Sequence, residues 1–217
     1  MAKPHRSRAR TGRPSARRTA ENALRRLGFS RVAGVDEVGR GCLAGPVVAA
    51  AVVLPPADRL TGLRDSKLLT GAARARLFDE IVGVCEVWSI GVREPEEIDR
   101  VNIHQASLAA MREAVTGLNP LPDFVLVDAF RIPGISIPQR GVVGGDRLCA
   151  GIAAASILAK VTRDRLMTRL HDADPRYGFD RHKGYATPEH LAAMARHGYS
   201  AAHRRSFRPK SLPDATR

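Results

Sequence analysis

The spacing of hydrophobic positions along the chain changes several times, and each change marks an element. Val32–Val38 reads Val-Ala-Gly-Val-Asp-Glu-Val, an extended segment suited to a strand, and Gly39-Arg40-Gly41 behind it reads as a tight turn. Residues 46–54 form an almost unbroken Val/Ala run, the pattern of a strand covered on both faces, and Pro55-Pro56 stops it. Residues 68–82 have a helical composition, and 84–92 read as a third strand. Pro95 opens a helical region in which Ile98, Val101, Leu108, Met111, Val115 and Leu118 recur at helical spacing. Phe124–Asp128 is a short apolar strand that ends on a carboxylate. A glycine-rich turn at 141–145 feeds an Ala-rich helix over 148–170, and Thr187-Pro188 opens a last short helix over 187–197. Three strands followed by helices alternating with further strands predict a mixed α/β layered domain, with no internal repeat and no interdomain linker.

Composition sharpens this picture. The 217 residues are 44% hydrophobic and 26% charged, which excludes wholesale disorder and suits one domain with an extension. Cys42, Cys85 and Cys149 are odd in number and far apart, so a disulfide scaffold is excluded and a reducing, cytoplasmic setting is expected. The net charge of +13 points to a polyanion, nucleic acid before membrane. The apolar stretch 42–54 is broken by Gly45 and Pro46 and is too short to span a bilayer.

That charge is concentrated at one end. Residues 1–28 carry Lys3 and eight arginines against Glu21 alone, and the first twenty have little to bury. The expected organisation is a basic, disordered arm over 1–28, a catalytic domain over 29–210 and a tail over 211–217. The arm acts either as a solvated tail or as a non-specific phosphate tether whose grip falls with salt.

The acids carry the most information. Asp36 and Glu37 interrupt an otherwise buried strand, Asp128 closes Phe-Val-Leu-Val-Asp, and Asp146 lies in Gly-Gly-Asp just ahead of the long helix. Acids are seldom buried unless paired or bound to a cation. Four of them gathered together would repel unless a divalent ion neutralised them. Oxygen-only ligation favours Mg²⁺ or Mn²⁺ over Zn²⁺. Two such ions about 4 Å apart suit in-line phosphodiester hydrolysis. The alternative is that these acids cap strand ends or pair with the arginines. Gly39-Arg40-Gly41 could offer backbone N–H groups to a ligand, or serve only as a turn. Lys67 could meet a phosphate or stay solvated, and Tyr185 in His182-Lys183-Gly184-Tyr185 could stack on a sugar or base or simply pack. His203-Arg204-Arg205-Ser206-Phe207 could face phosphate or be a charged tail.

Taken in order, these segments resemble a known family. Residues 34–48, Gly-Val-Asp-Glu-Val-Gly-Arg-Gly-Cys-Leu-Ala-Gly-Pro-Val-Val, are similar to the opening of type 2 ribonuclease H (ribonuclease HII). Asp65-Ser66-Lys67, Val127-Asp128-Ala129, the Ala-Ala-Ala-Ser-Ile-Leu-Ala-Lys-Val run at 153–161, Arg163-Asp164 and His182-Lys183-Gly184-Tyr185 follow in the family's order, so the likeness covers about 31–208. The resemblance implies a ribonuclease-H-like mixed sheet flanked by helices, with a small helical C-terminal extension. It implies an endonuclease that cuts the RNA strand of RNA/DNA hybrids and nicks 5′ to ribonucleotides embedded in duplex DNA, working as a monomer away from membranes. It implies two Mg²⁺ or Mn²⁺ ions held by Asp36, Glu37, Asp128 and Asp146. Gly39, Arg40 and Gly41 would read the 2′-hydroxyl, with Arg40, Ser66 and Lys67 on phosphate, Tyr185 stacked on the deoxyribose, and Asn102 near the substrate. Asp164, well inside the long helix, is expected in a structural ion pair. The chain departs from the family at Val38, where Ala is usual. It has Val143-Gly144-Gly145-Asp146 where a Lys generally precedes the fourth acid.

Overall fold

In the computed structural model, residues 18–56, 60, 63 and 69–209 are described. Five strands form one sheet in the order β3-β2-β1-β4-β5. They are β1 (Val32–Val38), β2 (Val47–Val53), β3 (Val87–Arg93), β4 (Phe124–Asp128) and β5 (Gln139–Val142). The first three form an antiparallel meander, while β4 runs parallel to β1 and β5 parallel to β4. The helices are α1 (Thr19–Arg26), α2 (Gly71–Val84), α3 (Pro95–Val101), α4 (Ile103–Thr116), α5 (Gly145–Leu148), α6 (Ala150–Ala173), α7 (Phe179–His182) and α8 (Pro188–His197).

The Val/Ala run of β2 is buried at every position because helices cover both faces of the sheet. On one face Ala33, Val35, Ala49, Ala51, Val125 and Val127 meet α4. On the other, Val48, Ala50 and Val52 meet α6 and α2. The strand period of two therefore assigns each side chain to a face. Gly34 lies on the α6 face, and a Cβ there would stand 2.0 Å from the backbone carbon of Gly151. Only hydrogen at this position lets α6 lie so close to β1.

Several boundaries differ from the sequence expectation; the third strand runs 87–93 rather than 84–92, because α2 continues to Val84. The helical region opened by Pro95 is two helices, split at Asn102, whose backbone adopts φ 67° and whose side chain caps α4 by accepting from His104 N and Gln105 N. Gly141 belongs to β5, an edge strand of four residues, the middle two exposed and the outer two half-buried, with no apolar alternation to announce it. The long helix runs 150–173 rather than 148–170. Helix α2 begins at Gly71, where Thr70 Oγ1 accepts from Ala73 N at 3.2 Å; Leu68 lies outside the described residues.

The basic arm over 1–28 also needs correction in its second half, residues 1–17 lying outside the described ones. Residues 19–26 are helical, and Ala20 and Leu24 pack on Val32, Leu126 and Ile152. Glu21 is only 4% exposed, and its Oε1 accepts from Gly151 N at 2.8 Å. It thus caps α6, whose own N-cap Cys149 supplies no side-chain bond. Arg25 donates to the Leu54 carbonyl at 2.7 Å and Arg18 to that of Pro55. These contacts, not local propensity, hold a short helix that composition alone reads as unstructured.

Two outcomes test this packing. Gly34→Ala should force β1 and α6 apart and lower stability by about 3 kcal/mol in urea unfolding. Glu21→Ala, which leaves the Gly151 N–H buried without its acceptor, should cost about 1–3 kcal/mol in the same measurement.

Candidate active site

Parallel pairing of β1 with β4 builds the centre of the site. The register sets Val35 beside Val127, so the next residues, Asp36 and Asp128, stand side by side at the strand ends on the α6 face. Asp36 is 7% exposed. Its Oδ1 accepts from Glu37 N at 2.8 Å, and its carboxylate also bonds Ser156 of α6. Glu37, one residue on, faces the α4 side, where Arg40 Nη1 lies 3.4 Å from its Oε1. Asp128 Oδ1 accepts from Gly145 N at 2.8 Å, which draws α5 and its Asp146 against the strand end. Asp146 lies 3.9 Å from the exposed Arg147 of its own turn.

Charge accumulates here without full compensation. Burial pushes the Asp36 carboxyl well above its ordinary value; Glu37 and Asp128 add repulsion, and the Ser156 bond opposes it. Burial raises Glu37 too, with Asp128 adding to it and Arg40 opposing. Among the described residues, no three acidic, His or Cys side chains are drawn close enough together to form a finished metal cage. The reason lies in their partners. Glu37 turns to Arg40, Asp128 to the Gly145 amide and Asp36 to Ser156, which relieves like-charge repulsion. An all-oxygen set with a buried, mutually repelling acid at its centre fits a hard divalent cation.

Around this centre the loop at 39–46 is held by its carbonyls. Arg163 of α6 and Arg204 are both fully buried. Arg163 donates to Pro46 O at 2.9 Å, Ala44 O at 3.0 Å and Lys183 O at 2.9 Å. Arg204 donates to Gly45 O at 3.0 and 2.8 Å and to Arg40 O at 3.0 Å. Gly39 has φ 97°, and a Cβ there would stand 2.3 Å from Arg163 Nε. Gly41 faces open space, so the backbone there can be approached from outside. The Arg40 guanidinium lies 4.6 Å over the Phe130 ring, and His104 meets the same ring edge-on at 5.5 Å. Asn102, two residues before His104, is thereby near this side of the site, with its side chain committed to capping α4.

Tyr185 closes the other side. Its ring is 42% exposed, its hydroxyl bonds Cys42, and Lys160 lies 6.0 Å from the ring centre. Lys160 also pairs with Asp164 at 2.7 Å, the structural ion pair expected for that acid. Ser66 and Lys67 lie outside the described residues.

The structure thus brings Asp36, Glu37, Asp128, Asp146, Gly39, Arg40, Gly41 and Tyr185 into one region. Arg163 and Arg204 are the supporting residues whose role as buried anchors of the loop sequence reasoning missed. The patch at 203–207 does not turn outward at Arg204; that guanidinium is inside, and Asp99 accepts from Arg205 N at 2.7 Å and Ser206 N at 2.9 Å. A backbone signal marks the same region. The three non-glycine residues with positive φ among those described are Asn102, Ala129 and Lys183, beside α4, Asp128 and Tyr185 respectively. Strained backbone of this kind persists where surrounding structure enforces it, often at functional sites.

Known proteins are similar to this chain in sequence and in fold. The family model described as ribonuclease HII matches residues 33–210. A ribonuclease HII from Pelotomaculum thermopropionicum is 58% identical over 191 residues, covering 87% of this chain and 72% of its own. The ribonuclease H2 of Pyrococcus horikoshii superposes with TM-score 0.67 at 25% identity, over 82% of this chain and 93% of the other. The ribonuclease HII of Archaeoglobus fulgidus, solved in complex with PCNA, gives TM-score 0.68 at 27% identity, over 84% and 98%. With the sheet order, the acids at the ends of β1 and β4 and this likeness over most of its length, the chain belongs to the ribonuclease HII family and is a nuclease, a hydrolase of the ribonuclease H class.

Proposed function

We propose that the protein hydrolyses the RNA strand of RNA/DNA hybrids and nicks duplex DNA 5′ to embedded ribonucleotides, leaving 5′-phosphate and 3′-hydroxyl ends. Its role is then the removal of ribonucleotides from DNA. The observation that carries this reading is the juxtaposition of buried Asp36 with Asp128 and Glu37 at the ends of β1 and β4, a set of oxygen donors that repel one another without a cation. Asp36, Glu37, Asp128 and Asp146 would hold two Mg²⁺ or Mn²⁺ ions. When bound, such ions activate water and stabilise the leaving 3′-oxygen.

The remaining roles belong to the chain's own groups. Exposed backbone at Gly39-Arg40-Gly41 offers donors and acceptors to the ribose 2′-hydroxyl, the one group that separates RNA from DNA locally. Arg40, stacked on Phe130, would meet phosphate with its guanidinium, and Ser66 and Lys67 would be further phosphate contacts. The half-exposed Tyr185 ring offers a flat face to the neighbouring deoxyribose, and Asn102 flanks the substrate from the N-terminus of α4. Lys3 and the arginines at 6, 8, 10, 13 and 17 add a non-specific, salt-sensitive hold on the duplex. In this reading residues 29–210 form the catalytic domain, joined by α1, with a tail at 211–217. The enzyme acts as a cytoplasmic monomer. None of its described helices is long and apolar enough to cross a membrane.

The direct test is a DNA duplex with one embedded ribonucleotide, incubated with Mg²⁺, Mn²⁺ or EDTA. Cutting 5′ to the ribonucleotide, abolished by EDTA, is expected; an uncut substrate under all conditions overturns the reading. Asp36→Asn should eliminate cleavage while duplex binding persists. The same variant removes a buried repelling charge, so in EDTA its Tm should rise by about 2–5 °C. Added Mg²⁺ or Mn²⁺ should raise the Tm of the native chain and leave that of Asp36→Asn nearly unchanged.

A further inference from the structure

Behind Tyr185 the C-terminal extension buries three imidazoles that the proposed chemistry does not use. His190 and His203 are buried, and His182 stacks on His190 with ring centres 4.3 Å apart and planes 16° from parallel. Their hydrogen bonds assign the protons. Ser200 N donates to His203 Nδ1 at 3.0 Å, so the His203 proton sits on Nε2. That Nε2 lies 3.1 Å from His190 Nε2, which must accept. The His190 proton is therefore on Nδ1, 2.9 Å from the Tyr185 carbonyl, to which it donates. His182 is fixed in the same way. Gly184 N donates to its Nδ1 at 3.2 Å, and its Nε2 donates to Tyr177 O at 2.7 Å. Each ring thus has one donor and one acceptor, both satisfied, in the neutral form. Burial keeps His190 and His203 neutral, holding them down to about 4.

The two ends of this chain matter more than its middle. His203 forms an antiparallel bridge with Ala44, and its neighbour Arg204 donates N–H to Leu43 O at 2.9 Å. Gly45 N donates to Ala202 O at 2.7 Å, and Leu43 N to Gly184 O at 2.8 Å. One end is therefore anchored on the loop that presents Gly39-Arg40-Gly41, and the other ends on the backbone of Tyr185. The Leu43–Gly184 bond already ties these two segments at one point; the imidazoles add a second link, from Ser200 to the Tyr185 carbonyl itself, that a hydrophobic filler would not supply. This chain of bonds is directional, because each ring satisfies its partners in one orientation only.

We infer that His203 and His190 form a positioning relay that sets the Tyr185 backbone relative to the 39–46 loop, and so holds the Tyr185 ring where it meets the sugar beside a ribonucleotide. The inference rests on the proposed reading of Tyr185 as a sugar contact. His203 and His190 touch no substrate; they act through Tyr185, so their loss should weaken substrate binding and leave the chemical step alone.

A double-mutant cycle separates this from a merely structural role. On a duplex with one embedded ribonucleotide, Tyr185→Ala should raise KM. His203→Gln should raise KM by about five- to tenfold with kcat within twofold of native. In the Tyr185→Ala background, His203→Gln should add nothing further to KM. If Tyr185→Ala raises KM but folded His203→Gln does not, or if its effect is the same in both backgrounds, the relay is overturned. If Tyr185→Ala itself leaves KM unchanged, the reading of Tyr185 fails, and the relay fails with it. The native chain supplies a readout independent of mutant folding. Nitrogen-15 histidine spectra at neutral pH should give His203 as the neutral Nε2–H tautomer and His190 as Nδ1–H, and the opposite tautomer at His190 overturns the proposal.

Discussion

The approach of α6 to β1 is the constraint on which the rest of the molecule depends. Gly34 and Gly151 let backbone meet backbone, and the Ala-rich first turns of α6 keep that spacing along the sheet. Ser156, one face-turn further along the helix, then reaches Asp36. The helix start, capped by Glu21 from α1, fixes where α5 and Asp146 enter. A larger residue at Gly34 would open the sheet–helix interface two residues before Asp36. Stability and the placing of the acids therefore share one contact, and Asp36, Glu37 and Asp128 lie on strand ends rather than on a loop.

The fold leaves an electrostatic conflict unresolved at this point. Nearby cations are matched: Arg163 and Arg204 have backbone carbonyls for their donors, and Lys160 has Asp164. At Asp36 burial and two neighbouring acids act together, and a hydroxyl and an amide only partly answer them. Buried, mutually repelling acids of this kind are the chemistry that a divalent cation would neutralise.

Much of this was legible in the sequence, and the failures have physical causes. The strands β1, β2 and β4 were readable because burial on both faces makes a continuous apolar run, against which Asp36, Glu37 and Asp128 stand out. Strand β5 was not, since its four edge residues, two exposed and none buried, carry no apolar periodicity. The division at Asn102 escaped notice because the apolar spacing continues across it, while the break depends on one backbone angle. Helix α1 was hidden by composition: its arginines read as solvated, whereas Arg18 and Arg25 donate to carbonyls at the end of β2, a tertiary fact no local pattern contains. Arg204 was misread for the same reason.

Those arginines change what the net charge means. A formal +13 suggests a surface that attracts polyanions, yet Arg163 and Arg204 are inside, with donors directed at loop carbonyls. A buried guanidinium can hold several carbonyls at once because its donors lie in one rigid plane. A lysine could not reproduce that fork. The positive charge in these two residues is thus used to shape the loop at 39–46 from behind, which frees the opposite side of its backbone to meet a ligand. The imidazoles behind Tyr185 do similar work without charge, and the contrast follows from the number of acceptors. A carbonyl-rich loop calls for a many-donor cation. A link between one carbonyl and one amide calls for a neutral group with one donor and one acceptor, which is what a buried histidine provides.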